Sequence, residues 1–144
     1  MKGDEIMIGQ SKHNIDAKGR IIIPNKFRES LGETFILTQG LDNCISVYPI
    51  QEWEIKEKAL EALPEAQGRK IKRFFFSNAE EVTTDSQGRI IIPLRLREYA
   101  GLKKEVYITG AGNKAEIWSG ENWNKLGEEL TNTEIEQAML ELGF

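Results

Sequence analysis

One cysteine, one histidine and four prolines are all that the 144 residues hold of three chemically distinctive types. Cys44 has no partner, so no internal disulfide can form and no cysteine-rich metal site can be assembled. His13 is also alone, which leaves zinc few ligands. The two read as a packed thiol and a surface imidazole. No metal, cofactor or catalytic residue is expected. No run approaches the ~18 apolar residues of a membrane span. Met1-Lys2-Gly3-Asp4-Glu5 lacks the apolar centre of an export signal. A cytoplasmic chain with no membrane partner is the expectation. An overall positive charge is missing too. The net charge is −4, which taken alone argues against nucleic acid.

The charge is segregated, however. Residues 10–28 carry Lys12, Lys18, Arg20, Lys26 and Arg28 against Asp16 alone. Residues 69–73 add Arg69, Lys70, Lys72 and Arg73. Residues 121–141 hold six glutamates against Lys125. Such segregation can give an acidic protein a local positive face.

What the chain does have is a repeat. Asp16-Ala17-Lys18-Gly19-Arg20-Ile21-Ile22-Ile23-Pro24 returns 69 residues later as Asp85-Ser86-Gln87-Gly88-Arg89-Ile90-Ile91-Ile92-Pro93, with seven of nine positions identical. Arg28-Glu29 matches Arg97-Glu98 at the same offset. One inserted residue then shifts the offset to 70: Gly40 matches Gly110, Asn43 matches Asn113, and Trp53 matches Trp123. The duplication covers roughly residues 11–60 and 80–130. Two copies do not make a solenoid. They make one pseudo-symmetric domain or two similar subdomains.

Each copy reads as strand, turn, strand, short helix. Ser11–Ile15 and Arg20–Ile23 suit strands, as do Glu81–Thr84 and Arg89–Ile92. Between them an aspartate opens a turn by accepting a backbone bond, and a glycine supplies the left-handed closing residue. The motif is thus expected at the tip of a β-hairpin. Pro24 and Pro93 suit helix starts, with Gly32 and Gly101 as caps. Thr34–Thr38, Ile45–Tyr48, Glu105–Thr109 and Ala115–Trp118 are further strands. Trp53, Leu60 and Leu63 form a helical stripe, as do Trp123, Leu126 and Leu130. A helix over 66–78 joins the halves, with Ile71 and Phe75 on one face. Thr133 with Glu136 is the expected capping box of a last helix. The boundaries that follow are 7–64 for the first repeat, 65–79 for a connecting helix, 80–130 for the second repeat and 131–144 for a terminal helix. The fold class is α+β and β-rich, with two pseudo-repeated halves forming one barrel-like core and peripheral helices.

Three readings of Asp-x-x-Gly-Arg compete. In the first, Asp16 and Arg20 only stabilise the turn. In the second, Asp16 is an acid or base; yet the motif holds no second carboxylate, histidine or nucleophile. Nor is it a glycine-rich phosphate loop, because a strand follows where a helix is needed. In the third, Arg20 and Arg89 contact nucleic acid, as planar charged forks suited to phosphate or to guanine O6 and N7. Asp16 and Asp85 then orient the arginines, and Lys18 adds a phosphate contact where the second loop has Gln87.

Residues His13 to Glu29 and Asp85 to Pro93 resemble the two signatures of the MraZ family. The likeness runs from Ile8-Gly9 to about Leu130. Residues 1–6 precede the family pattern, and Gln87 leaves the second loop less basic than the first. MraZ proteins are similar in architecture to AbrB-type swapped-hairpin DNA-binding domains, with two such halves fused in one chain. The resemblance implies a non-enzymatic, sequence-specific DNA-binding regulator of the division and cell-wall gene cluster. It implies binding to short direct repeats upstream of its own operon and association with the nucleoid. It also implies a ring-shaped homo-oligomer of the octamer or dodecamer class, with no small-molecule substrate. The resemblance carries over Asp16 and Arg20 with Asp85 and Arg89 as DNA-binding elements; together with the reading of the loops, the expected DNA-binding positions are Lys12, Lys18, Gly19, Arg20, Gln87 and Arg89, with Asp16 and Asp85 orienting the arginines. Two other roles stay open: an interaction ring whose arginines serve subunit contacts, and an antitoxin-like regulator that also binds a toxin.

Overall fold

The repeat in sequence becomes a repeat in elements. In the computed structural model, which describes residues 6–129 and 131–144, each half runs β-β-α-β-β-α-α. The first comprises β1 (Gln10–Asn14), β2 (Arg20–Ile22), α1 (Asn25–Leu31), β3 (Thr34–Gln39), β4 (Ile45–Pro49), α2 (Ile50–Glu61) and α3 (Glu65–Phe76). The second comprises β5 (Glu80–Thr83), β6 (Arg89–Ile91), α4 (Leu94–Ala100), β7 (Glu105–Gly110), β8 (Ala115–Ser119), α5 (Gly120–Glu129) and α6 (Asn132–Leu142). The class is α+β, as the sequence leads one to expect. Residues 1–5, and Leu130 of the expected second stripe, lie outside the described residues.

The halves are interlocked. A six-stranded antiparallel sheet runs in the order β1-β7-β8-β4-β3-β5. Its middle is two hairpins, β3–β4 and β7–β8, joined along β4–β8. Each edge strand belongs to the other half: β1 pairs with β7, and β5 with β3. A separate two-stranded ribbon pairs β2 with β6, again across the halves. The expected hairpin therefore needs correction. β1 and β2 face partners in the second half, and the turn between them joins the sheet to the ribbon. The only ladder bond between its arms is Asp16 N–H to Arg20 C=O, at 3.1 Å. The chain is one pseudo-symmetric unit, because neither half completes its sheet alone.

Apolar burial explains this arrangement. Ile21, Ile23, Ile90 and Ile92 drive one face of the ribbon into a core shared with Phe27 and Leu31 of α1 and Leu96 and Ala100 of α4. Phe35, Leu37, Ile45, Val47, Val106, Ile108 and Ile117 supply the sheet side. Each buried isoleucine or leucine contributes about 1.5–3 kcal/mol. The core is built from residues of both halves, so the fold is cooperative across the repeat.

A second cluster packs Trp53 of α2 and Phe75 and Phe76 of α3 against Ile36 and Tyr48 on the outer face of the first hairpin. Leu60 is buried as expected, but Leu63 lies beyond the end of α2, and Ile71 stays at the surface. The last helix starts earlier than expected. Thr131 is its cap, with Oγ1 accepting the Glu134 N–H at 3.2 Å, where Thr133 and Glu136 were the expected pair. Both pairs have the T-x-x-E spacing, and the earlier one opens the helix. Every residue of α6 is exposed, Ile135, Met139 and Leu142 included. Cys44 is buried, and His13 is half-buried with Nε2 at 2.7 Å from Ser11 Oγ rather than free at the surface.

Candidate nucleic-acid interface

The two motif loops are built alike. Asp16 Oδ1 accepts the backbone N–H groups of Lys18 at 3.0 Å and Arg20 at 2.9 Å. Gly19 closes the turn at φ +82°, and its N–H donates to Asp16 C=O. Asp16 Oδ2 then takes the Arg20 Nε–H at 2.7 Å. In the second loop Asp85 accepts Gln87 N–H and Arg89 N–H at 2.9 Å each and Arg89 Nε–H at 2.8 Å, with Gly88 at φ +76°. The bonds from the arginine backbones, aided by those from the guanidinium groups and from Lys18 and Gln87, hold both carboxyls below the usual aspartate range. Each carboxylate thus shapes a turn with one oxygen and fixes an arginine with the other.

Five N–H donors belong to each guanidinium, and the Nε–H is the one committed to aspartate. Among the described residues no other partner engages the Nη groups of Arg20 or Arg89. Their side chains are about one-third exposed, at 32% and 29%. A fixed, planar, partly exposed fork suits bidentate acceptors such as phosphate or a guanine edge.

The ribbon sets the spacing. Arg20 lies opposite Ile91, and Ile22 opposite Arg89. The arginines therefore occupy diagonal corners of one ribbon face, about 7 Å apart along the strands and ~5 Å across.

Each loop is braced by the other half. Gly19 C=O accepts Ile92 N–H at 2.8 Å, and Gly88 C=O accepts Ile23 N–H at 2.9 Å. Arg97 and Arg28 add a second brace. Their Nε–H groups donate to Ile92 C=O and Ile23 C=O at 2.8 and 2.7 Å. Arg97 thereby lies over Gly19, where a Cβ would come within 2.8 Å of its guanidinium carbon. Arg28 lies over Gly88 still more closely. The left-handed φ favours glycine at both places, and a Cβ there would also displace the overlying guanidinium. Arg28 and Arg97 are bracing positions that the motif alone does not expose. Their recurrence at the repeat's own offset is the signal that marks them.

Clefts flank the ribbon at either end. One is lined by Asp16, Leu94, Arg97, Glu98 and Lys103, the other by Arg28, Glu29, Glu33, Asp85 and Gly88. With Lys18 on the first loop and Gln87 on the second, the first end is the more basic. Lys12 is not brought to either loop. It lies four residues up β1 from Asp16, about 13 Å along the strand, and its ammonium pairs with Glu105 at 3.2 Å. That pairing raises its pKa.

Among the described residues no helix is long and apolar enough to cross a membrane. A family model described as "MraZ protein, putative antitoxin-like" matches residues 6–74 and 75–142. A protein named transcriptional regulator MraZ from Caldicellulosiruptor bescii is 51% identical over 143 residues, covering 96% of this chain and 100% of that one. Proteins of the same name from Acetivibrio thermocellus and Clostridium tetani are 49% and 46% identical, covering 94% and 96% of this chain and 98% and 100% of theirs. A doubled, cross-braced loop and a likeness spanning nearly the full length agree, and the chain belongs to the MraZ family of transcriptional regulators.

Proposed function

We propose that the chain binds double-stranded DNA in a sequence-specific way through its two Asp-x-x-x-Arg loops. The observation that carries this reading is the pair of arginines, each held by its aspartate, on one exposed ribbon face. A two-stranded antiparallel ribbon fits the major groove of B-DNA. Arg20 and Arg89 then meet guanine edges, while Lys18 meets a phosphate. Arg28 and Arg97 position the loops from the opposite half. The first loop is the stronger contact, because Lys18 stands where the second has Gln87.

The family likeness extends the proposal. The target is a set of short direct repeats upstream of the chain's own operon, within a division and cell-wall gene cluster. The working form is a ring-shaped homo-oligomer of the octamer or dodecamer class, associated with the nucleoid. A ring suits the exposed apolar residues of α6, which a second copy can cover. It also raises affinity, since weakly binding loops on one rigid body gain from effective concentration.

The test is a salt titration of binding to duplex from upstream of the gene and to a scrambled duplex. Affinity should fall steeply with salt, the slope counting phosphates displaced. The natural duplex should bind more tightly throughout. Binding that ignores both salt and sequence would reject the reading.

A further inference from the structure

The ribbon face that carries Arg20 and Arg89 also carries two isoleucines with no cover. Ile21 and Ile90 point to the core and are 1% and 2% exposed. Ile22 and Ile91 point the other way and are 48% and 60% exposed. Residues directly opposite on an antiparallel pair share a face, with Cβ atoms ~5 Å apart. Ile91 therefore stands beside Arg20, and Ile22 beside Arg89. The face is a rectangle, ~5 Å across and ~7 Å along the strands, with arginines on one diagonal and isoleucines on the other.

An exposed strand position accepts threonine about as readily as isoleucine, since both are β-branched. Both copies of the motif nevertheless place isoleucine here. A second ribbon laid face to face on this one with its strands aligned would set each arginine over an isoleucine. Such burial strips the guanidinium Nη groups of water and offers them no acceptor, which opposes self-association at this face. The surface needs a partner that takes cations and apolar groups alternately, ~5 Å apart across the ribbon and ~7 Å apart along it.

The major groove offers that pattern. Guanine presents the O6 and N7 acceptors that an arginine fork matches, and thymine presents the C5-methyl group, an apolar feature on a base edge. An isoleucine pressed against a base's polar edge would strip it of water without replacing the bond. Against a methyl it loses nothing. Bases follow one another at ~3.4 Å, so a side chain ~5 Å from an arginine reaches a neighbouring base pair.

We propose that Ile22 and Ile91 read thymine methyl groups within one base step of the guanines met by Arg89 and Arg20. The inference rests on the DNA-binding reading above. It adds that half of the readout on this face is apolar.

The experiment compares the natural upstream duplex with the same duplex synthesised with deoxyuridine for thymidine, which removes only the methyl groups. The wild-type chain should bind the uracil form more weakly, by about fourfold for each methyl contacted and roughly fifteenfold for two. Ile22→Ser/Ile91→Ser should bind the natural duplex more weakly by a similar factor and should bind both duplexes alike. Equal wild-type binding to the two duplexes overturns the inference while leaving the DNA reading intact. So does a serine variant that still prefers the methylated form. A change in oligomeric mass on the serine substitutions, with the methyl preference kept, would assign the isoleucines to contacts between copies instead. No binding to either duplex overturns this inference and the DNA reading together.

Discussion

Arg20→Lys separates charge from shape at the first loop. Lysine keeps the positive charge but has neither the planar fork nor an Nε–H for Asp16, which the arginine contacts at 2.7 Å. A bidentate arginine–guanine contact is worth about 1–3 kcal/mol of discrimination. At 1.4 kcal/mol per tenfold, its loss weakens binding to the natural duplex by about 5- to 150-fold. Binding to a scrambled duplex depends on phosphate neutralisation alone, so it should hardly change, and the slope against salt should stay as it was. Melting temperature should also hold, because the ion pair is exposed and such pairs contribute little. Fluorescence anisotropy on the two duplexes between ~50 and 200 mM salt measures all three DNA quantities. The same change at Arg89 should have a smaller effect, given Gln87 in place of Lys18. The reasoning fails if Arg20→Lys keeps the full preference for the natural duplex, or if both duplexes lose affinity equally.

Three other outcomes follow from the geometry. Gly88→Ala forces a side chain onto φ +76° and into the Arg28 guanidinium, and should destabilise the fold by about 1 kcal/mol or more; Gly127→Ala, in the open interior of α5, should stabilise by roughly 0.5–1 kcal/mol, and thermal melts compare them. Burial pushes the Cys44 thiol up to about 12. The unfolded chain then loses this proton first as pH rises, so the thiol's contribution to stability is complete below pH 9 and declines between about 9 and 12; at pH 8 a thiol reagent should react at the rate of unfolding, and rapid labelling would contradict the assignment. A fragment of residues 80–144 alone should show no cooperative melt by circular dichroism, since β5 and β7 each lose the partner supplied by the first half.

Much of this was legible in the residues. The aspartate-opened, glycine-closed turns formed as turn chemistry requires, with the Asp Oδ1 bond two residues on, and the structure adds a second bond to the arginine backbone four residues on. Strand positions agree within a residue or two, because β-branched runs and breakers mark them locally. Pairing partners were not legible. Each half carries nearly the same strands, so nothing local distinguishes β1 on its own half from β1 on β7; only the assembled core does. The hairpin reading failed for that reason. Arg28 and Arg97 were visible only as a matched pair, because their contact with Gly88 and Gly19 exists only once the halves interlock. Lys12 looked like part of a basic segment, yet its partner Glu105 lies 93 positions away in the sequence and adjacent in the sheet.

In the proposed complex, two aspartate-held arginines on one ribbon make the DNA contact. The most direct measurement compares the wild-type chain with Arg20→Ala/Arg89→Ala on the natural upstream duplex and on a scrambled duplex, at one fixed salt concentration. The wild type should prefer the natural duplex, and the double variant, folded and of unchanged oligomeric mass, should bind both alike and weakly. A double variant that keeps the wild-type preference would contradict the proposed contact.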